Sequence, residues 1–301
     1  MLALGSGHSC AVGDEGLVCW GRKRSYLNDD NVMAFMGGTV APSKPETVSL
    51  YDYFKRPRPV LIEEKGPLDY ADDLPVLRAV TQSGVVISTG STHSCYLKTG
   101  AIECFGDNDA GQITPPALTN PRQVSTGFDF SCAIADEGVV CWGDNSRNQA
   151  NAPFTINPIQ IATGGRHACL LDGATVDCWG WNFNGQTDVP STLRNPRQVT
   201  AGLYHSCALD DDGVHCWGSN AYGQIDVPEL VNPQYLSSGL GNHNCVVDDT
   251  GVVCWGDDEH DQAQALPLVR PTDVSVGYEH TCALDESGVQ CWGKNSQGQL
   301  D

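Results

Sequence analysis

The stretch "HSCALDDDGVHCWG", His205 to Gly218, holds two cysteines, Cys207 and Cys216, on either side of an acidic turn. Its side chains alternate with a period of two. Once the chain reverses at Asp211–Asp212, the residues Cys207, Leu209, Val214 and Cys216 fall on one face. Alternation on both sides of a short polar turn reads as a β-hairpin. In a hairpin of this length the two cysteines face each other. On a non-hydrogen-bonded pair of the ladder their Cα atoms approach to about 4.5 Å, within the span of a disulfide.

The same string recurs along the chain. The first cysteines are Cys10, Cys95, Cys132, Cys169, Cys207, Cys245 and Cys282, and the second are Cys19, Cys104, Cys141, Cys178, Cys216, Cys254 and Cys291. Successive copies lie 37 or 38 residues apart, except that the first step is 85. A fixed period in this range marks a repeat architecture. The position two after each first cysteine is aliphatic (Val12, Leu97, Ile134, Leu171, Leu209, Val247, Leu284). So is the position two before each second cysteine (Leu17, Ile102, Val139, Val176, Val214, Val252, Val289). A further strand signal, such as "RQVTAG" or "TDVSVG", precedes most hairpins. Each copy is therefore expected to be a small antiparallel sheet of three or four strands that cannot bury itself alone. Seven equal sheets arranged radially give an all-β, seven-bladed β-propeller, which fits equal copies better than a sandwich does. The expected organisation is one propeller over residues 1–301, with an insertion, 22–84, inside the first repeat.

Three readings of the cysteine pairs are open: one cross-strand disulfide per blade, a zinc site built from His-x-Cys plus the later Cys, or buried free thiols. Phe130 stands where the other copies have histidine while Cys132 and Cys141 remain, which weighs against zinc. The shared parity with the aliphatic positions places the bridge between neighbouring blades. Disulfides imply an oxidising compartment.

With G-x-x-H-S-x-A-L, G-V-x-x-W-G and N-x-x-G-Q in order, "GLYHSCALDDDGVHCWGSNAYGQ" (Gly202 to Gln224) resembles the repeat of the regulator of chromosome condensation family. The resemblance covers the chain outside about 22–84 and implies a seven-bladed propeller. The endings "GQTDVP" and "GQIDVP" are also similar to the bacterial secreted propeller that inhibits β-lactamases. The fold hosts exchange factors, inhibitors and adhesive binders alike, so the resemblance implies no single function.

Charge narrows the partners. The chain carries 17 basic and 37 acidic residues in 301, a formal charge of −20. Residues 22–84 contain 9 of each sign, leaving 8 basic against 28 acidic for the repeats. Such a surface disfavours nucleic acid. No run is long and apolar enough to cross a membrane as a helix, and "MLALGSGHSC" is too short and uncharged for an export signal. The insertion is neutral, cysteine-free and Pro-rich, and is read either as an extension of the binding face or as decoration of the rim.

Polar residues that repeat in every copy are read as scaffold. His8, His93, His167, His205, His243 and His280 are expected to hydrogen-bond backbone between blades. Trp20, Trp142, Trp179, Trp217, Trp255 and Trp292, with Phe105, are expected in blade cores. Gly5, Gly90, Gly127, Gly164, Gly202 and Gly277 are expected to supply unusual φ values. The acidic loops Asp107 to Gly111 and Asp257 to Asp261 offer alternate oxygens for calcium but lack a later bidentate glutamate, so they are read as solvated turns. No metal or cofactor is assigned, and no G-x-S-x-G, H-E-x-x-H or P-loop pattern is present.

The G-x-x-H tips and the W-G-x-N-x-x-G-Q loops should emerge on one side, and there the residues do not repeat. Phe128, Asp129, Arg147, Arg166, Trp181, Phe183, Tyr204, Tyr222, His260, Tyr278 and Glu279 form the candidate partner-binding set, since aromatics and arginine carry protein-binding hot spots. The leading reading is a non-catalytic, monomeric propeller, extracellular, periplasmic or on the cell surface, that binds a protein or glycan. Alternatives are an inhibitor of an extracellular enzyme, a guanine-nucleotide exchange regulator, and a glycan lyase or hydrolase. The last would need Asp129, Arg166, Tyr204 and Glu279 to converge in one deep pocket. Alkylation of the denatured, unreduced protein should add no label by mass spectrometry, and labelling should appear only after reduction. Full labelling without reductant would overturn the disulfide reading.

Overall fold

The hairpin at Cys207–Cys216 forms in the expected register, with Cys207 opposite Cys216, Leu209 opposite Val214, and Asp210 opposite Gly213. Asp211 and Asp212 make the turn, and Gly213 leaves it at a φ of 121°, a conformation that costs glycine nothing. The computed structural model describes residues 2–13, 16–21, 86–98 and 100–300, with the side chains of 12, 13 and 16–18 not described. The expected insertion at 22–84 lies outside the described residues.

Among the described residues the chain forms seven three-stranded antiparallel sheets. The inner strands are Leu2–Leu4, Val86–Thr89, Gln123–Thr126, Pro158–Thr163, Gln198–Ala201, Tyr235–Ser238 and Asp273–Val276. The middle strands are His8–Gly13, His93–Lys98, Phe130–Ala135, His167–Asp172, His205–Asp210, His243–Asp248 and His280–Asp285. The outer strands are Gly16–Gly21, Ala101–Gly106, Gly138–Gly143, Thr175–Gly180, Gly213–Gly218, Gly251–Gly256 and Gly288–Gly293. Each inner strand packs against the inner strands of both neighbouring sheets, the seventh against the first included. This is a seven-bladed propeller.

All fourteen cysteines are bonded in the expected pairs, with Cα–Cα distances of 4.0 to 4.1 Å. That spacing is the narrow, non-hydrogen-bonded pairing of an antiparallel ladder. The zinc and free-thiol readings give way to it. The bridges lie between blades: Cys207, Leu209, Val214 and Cys216 pack with Leu236, Val246 and Trp255 of the next blade.

The repeated histidines do join blades, but their partner is a side chain rather than the expected backbone. Each Nε2 meets the residue after the next blade's histidine position: His8 with Ser94 (3.0 Å), His93 with Ser131 (2.8 Å), His167 with Ser206 (3.0 Å), His205 with Asn244 (2.7 Å), His243 with Thr281 (2.8 Å) and His280 with Ser9 (2.9 Å). In the third blade Phe130 replaces histidine, and Ala168 stands where the hydroxyl or amide would be. Both are fully buried in one apolar cluster. The two ends of the seam have changed together, from a hydrogen bond to an apolar contact.

The expectation for Gly5, Gly90, Gly127, Gly164, Gly202 and Gly277 is wrong in its reason. None of them has positive φ. They are glycines because the ring of their own blade's histidine position and, at most of them, the next blade's backbone come too close. A Cβ on Gly90 would lie 2.4 Å from the Gly127 carbonyl oxygen and 2.9 Å from the His93 ring, and one on Gly202 would lie 2.0 Å from the His205 ring. Positive φ recurs instead at the glycine after each tryptophan or Phe105 (Gly21, Gly106, Gly143, Gly180, Gly218, Gly256 and Gly293) and at turn glycines such as Gly213.

A second inter-blade contact explains the rest of the motif. The glutamine ending each trailing loop turns its carbonyl to the next blade's tryptophan. Trp142 Nε1 donates to Gln112 (2.8 Å), Trp179 to Gln149 (2.9 Å), and Trp217, Trp255 and Trp292 to Gln186, Gln224 and Gln262 (3.0 Å each). The ring closes by the same device and without strand exchange. Trp20 Nε1 donates to the Gln299 carbonyl at 3.0 Å, Ser9 Oγ donates to it at 3.1 Å, and Tyr278 N–H reaches the Gly5 carbonyl at 3.3 Å.

Burial holds these histidines neutral. Desolvation lowers His8, His93 and His205 to a pKa of about 4, and His167, His243 and His280 to about 3, from 6.5. The unfolded chain therefore takes up protons that the folded chain refuses once pH falls below 6.5. The stability tied to the neutral rings is complete above that pH and is lost as pH falls toward 3 to 4. The double variant His167→Phe/Ser206→Ala, which copies the Phe130–Ala168 seam, should therefore lose stability less steeply below pH 6. Its slope, from denaturant melts at several pH values, should be lower by roughly 1.4 kcal/mol per pH unit, the value for one proton. An unchanged slope would mean that this histidine does not set acid sensitivity.

Candidate functional site

The first residue of each trailing loop donates its N–H to the residue just before the histidine position in the same blade. Asp144 reaches the Asp129 carbonyl (2.8 Å), Trp181 that of Arg166, Ser219 that of Tyr204, Asp257 that of Asn242 and Lys294 that of Glu279 (2.9 Å each). The tips and trailing loops thus lie side by side on one end of the propeller. The hairpin turns occupy the other end. Backbone bonds link successive tips around the ring, as from Phe128 N–H to Gly165 and from Leu203 N–H to Gly241. This fastening makes the end a fixed surface rather than a set of independent loops.

On that surface the structure brings together most of the residues picked from sequence. Trp181 is the centre. The Arg147 guanidinium lies 5.7 Å from its ring centroid, Phe183 stacks on it at 6.3 Å, and Tyr204 meets it edge-on at 5.3 Å. Phe183 is 82% exposed and Tyr222 53% exposed, large values for aromatic side chains. Tyr278 is close enough to Tyr204 and Tyr222 for their charges to act on it. Its phenol is held above its usual range by burial first, then by Glu279, the two tyrosines and Asp257. The ring contacts thus join the fourth and fifth blades.

Two charged clusters flank it. Arg166 Nη1 lies 4.0 Å from Asp144 Oδ2. Asp129 has its carboxyl raised above the ordinary range, by burial first, with Arg166 opposing and Asp144, Asp107 and Asp109 adding to the rise. Burial pushes Asp144 the same way. Hydrogen bonds from Ser146, together with Arg166 and Gln149, outweigh it and hold that carboxyl low. On the far side Lys294 Nζ donates to Glu279 Oε2 at 2.5 Å, and His260 Nε2 is 3.5 Å from Glu279 Oε1. Phe128 is half-buried at the third tip.

Asp144 and Lys294 were not singled out from sequence. Both occupy the position directly after Trp-Gly or Phe-Gly, which in the other copies reads Arg22, Asp107, Trp181, Ser219 and Asp257. Variation at this one position, between two invariant stretches, was the available signal.

The residues of the catalytic alternative do not share a deep pocket. The axial cavity, about 200 Å³, is lined by inner-strand groups such as Ser88, Ser125, Gln160, Thr200, Ser237 and Ser275, and neither carboxylate nor histidine lines it. Asp129, Arg166, Tyr204 and Glu279 stand outside that lining. In the two acidic loops the first carboxylate caps its own turn: Asp107 Oδ1 accepts from Asp109 N–H (3.3 Å) and Asp257 Oδ1 from Glu259 N–H (3.2 Å). Among the described residues no group of three or more His, Cys, Asp or Glu is placed to hold a metal ion.

The regulator of chromosome condensation (RCC1) repeat pattern matches residues 122–149, 159–186, 197–224 and 272–299. No curated protein matches the chain by sequence. Among solved structures, the ectodomain of the Physcomitrella patens receptor kinase CR4 is similar at a TM-score of 0.65 and 19% identity, over 97% of this chain and 72% of that one. The CRINKLY WD40 ectodomain of the Arabidopsis thaliana receptor kinase ACR4 is similar at 0.63 and 18%, over 97% and 96%. Prp20p from Saccharomyces cerevisiae, whose structure was described with its binding to Gsp1p and histones, is similar at 0.62 and 17%, over 75% of each chain. At these identities the likeness is one of fold. Repeat pattern and blade geometry agree: the chain is a seven-bladed propeller that carries RCC1-like repeats.

Proposed function

We propose that the protein is a non-catalytic, exported or cell-surface propeller that binds a macromolecular partner, a protein or glycan, through the end carrying the tips and trailing loops. One observation carries the reading. Positions that build blades repeat from copy to copy, whereas positions that converge at this end do not, and they form a contiguous tract of Arg147, Trp181, Phe183 and Tyr204. Large, partly exposed aromatics beside arginine are the side chains that dominate binding energy when a partner dries them. The seven disulfides support an oxidising compartment, and two of the similar structures are receptor ectodomains. An exchange-factor role like that of a nuclear regulator is disfavoured by the same disulfides and by the charge of −20. Inhibition of an extracellular enzyme is one form that binding at this end would take.

The test is capture of partners by cross-linking from the source organism's secreted and surface fractions, with two variants. Trp181→Ala/Phe183→Ala/Tyr204→Ala should reduce the captured species at least tenfold. Phe154→Ser/Ile156→Ser alters two exposed apolar residues on a different loop, which is tied through Ile156 N–H to Asp172, and should leave capture unchanged. Equal capture by the aromatic variant and the unaltered protein would sink the proposal.

A further inference from the structure

The charge of the binding end specifies what kind of partner it fits. At the seventh tip Glu279 is bonded to Lys294 and faces His260, while the sixth blade's loop adds Asp257, Asp258, Glu259 and Asp261. On the second and third blades Asp107, Asp109 and Asp144 all act on Asp129, and among the described residues Arg166 is the cation that opposes them there. Burial first, and these neighbouring carboxylates after it, raise the Asp129 carboxyl. This excess of carboxylates borders the aromatic tract directly. Asp144 and Arg147 belong to one loop, and Arg166 and Trp181 are joined by a backbone hydrogen bond of 2.9 Å. The tract itself already holds a cation: Arg147 lies over Trp181. An indole face that carries a guanidinium in the free protein shows which charge its π-system accepts there.

Resting on the binding role proposed above, we infer that the partner is a protein presenting a basic segment, whose arginine or lysine side chains seat among Asp107, Asp109, Asp129 and Asp144 while its apolar side chains cover Trp181, Phe183 and Tyr204. Charge complementarity selects this occupant. An acidic or sulfated glycan would bring like charge to the aspartates, and a neutral glycan would leave their excess unanswered. Such complementarity acts on encounter rate and on discrimination between partners.

The test uses the whole protein and two synthetic probes: a short Arg-Phe-Arg-Gly repeat peptide, and its counterpart with citrulline, the neutral isostere, for each arginine. Affinities are measured by calorimetry at low and at physiological salt. The arginine peptide should bind at least tenfold more tightly than the citrulline peptide. Asp109→Asn/Asp129→Asn should cut that ratio below about threefold, an effect expected of a rim-to-core charge contact. Asp177→Asn/Asp211→Asn removes the same formal charge from an outer strand and a hairpin turn, and should leave the ratio intact. Equal losses in both variants would mean nonspecific attraction to an acidic protein, and the inference would fall. It would also fall if neither peptide bound, or if both bound alike. Trp181→Ala separates the two levels of the argument. If it abolishes binding of two peptides that bind alike, the end is a binding surface without cationic preference. If arginine-peptide binding survives it and the tip aspartate variant unchanged, the binding end itself has been misassigned.

Discussion

Everything in this molecule depends on how one blade is fastened to the next. A sheet of three short strands exposes two faces and can bury neither by itself. Most blades therefore offer the following one two fixed polar partners, a histidine Nε2 and a glutamine carbonyl, and receive a hydroxyl or amide and an indole N–H in return. Around these bonds the aliphatic residues and the disulfides of adjacent blades close the core. Because such groups are buried, leaving one unpaired costs more than pairing it gains. The pairs thus act as register marks as well as attachments. The third seam makes this visible, since loss of the histidine at Phe130 is matched by loss of the hydroxyl at Ala168.

The covalent and non-covalent links divide the work. Each disulfide closes a loop inside one blade and ties no blade to another. In the chain-entropy picture a loop this short gains roughly 2 to 3 kcal/mol before strain, and a hairpin that is already local cannot claim the sum of seven. Blades are hardened individually, while the ring is held by packing and hydrogen bonds. The last attachment, Gln299 to Trp20 and Ser9, is of the same kind as the others, so the ends of the described chain meet without sharing a strand.

With the scaffold satisfied internally, the tips and trailing loops carry few structural obligations in their side chains. Their backbone does the fastening, through the N–H to carbonyl bonds that join loop to tip and tip to tip. Trp can therefore stand at 181 where Asp stands at 144 and Lys at 294 without disturbing a blade. That freedom produces a rigid end with a varied surface, aromatic across the middle blades and charged on either side.

The hairpin, the cysteine pairing, the blade number and the side on which variable residues emerge could all be read from the sequence. They follow from a period of two, from parity about Asp211–Asp212 and from a repeat of 37 or 38 residues, which are local or periodic properties. What the sequence concealed was set by distances that only the folded ring creates. The tip glycines looked like conformational necessities, yet they are required because Gly127 O or a histidine ring lies where a Cβ would go. The histidines looked like backbone donors, yet they meet side chains of the next blade. The grouping of Arg147, Trp181 and Tyr204 from three separate blades, and the pairing of Lys294 with Glu279, arise only when the ring is closed. The sequence by itself determined what each blade is, because a hairpin is decided by neighbours along the chain. Only the tertiary structure decided what the binding end is, because its residues become neighbours through the angle and spacing at which blades pack.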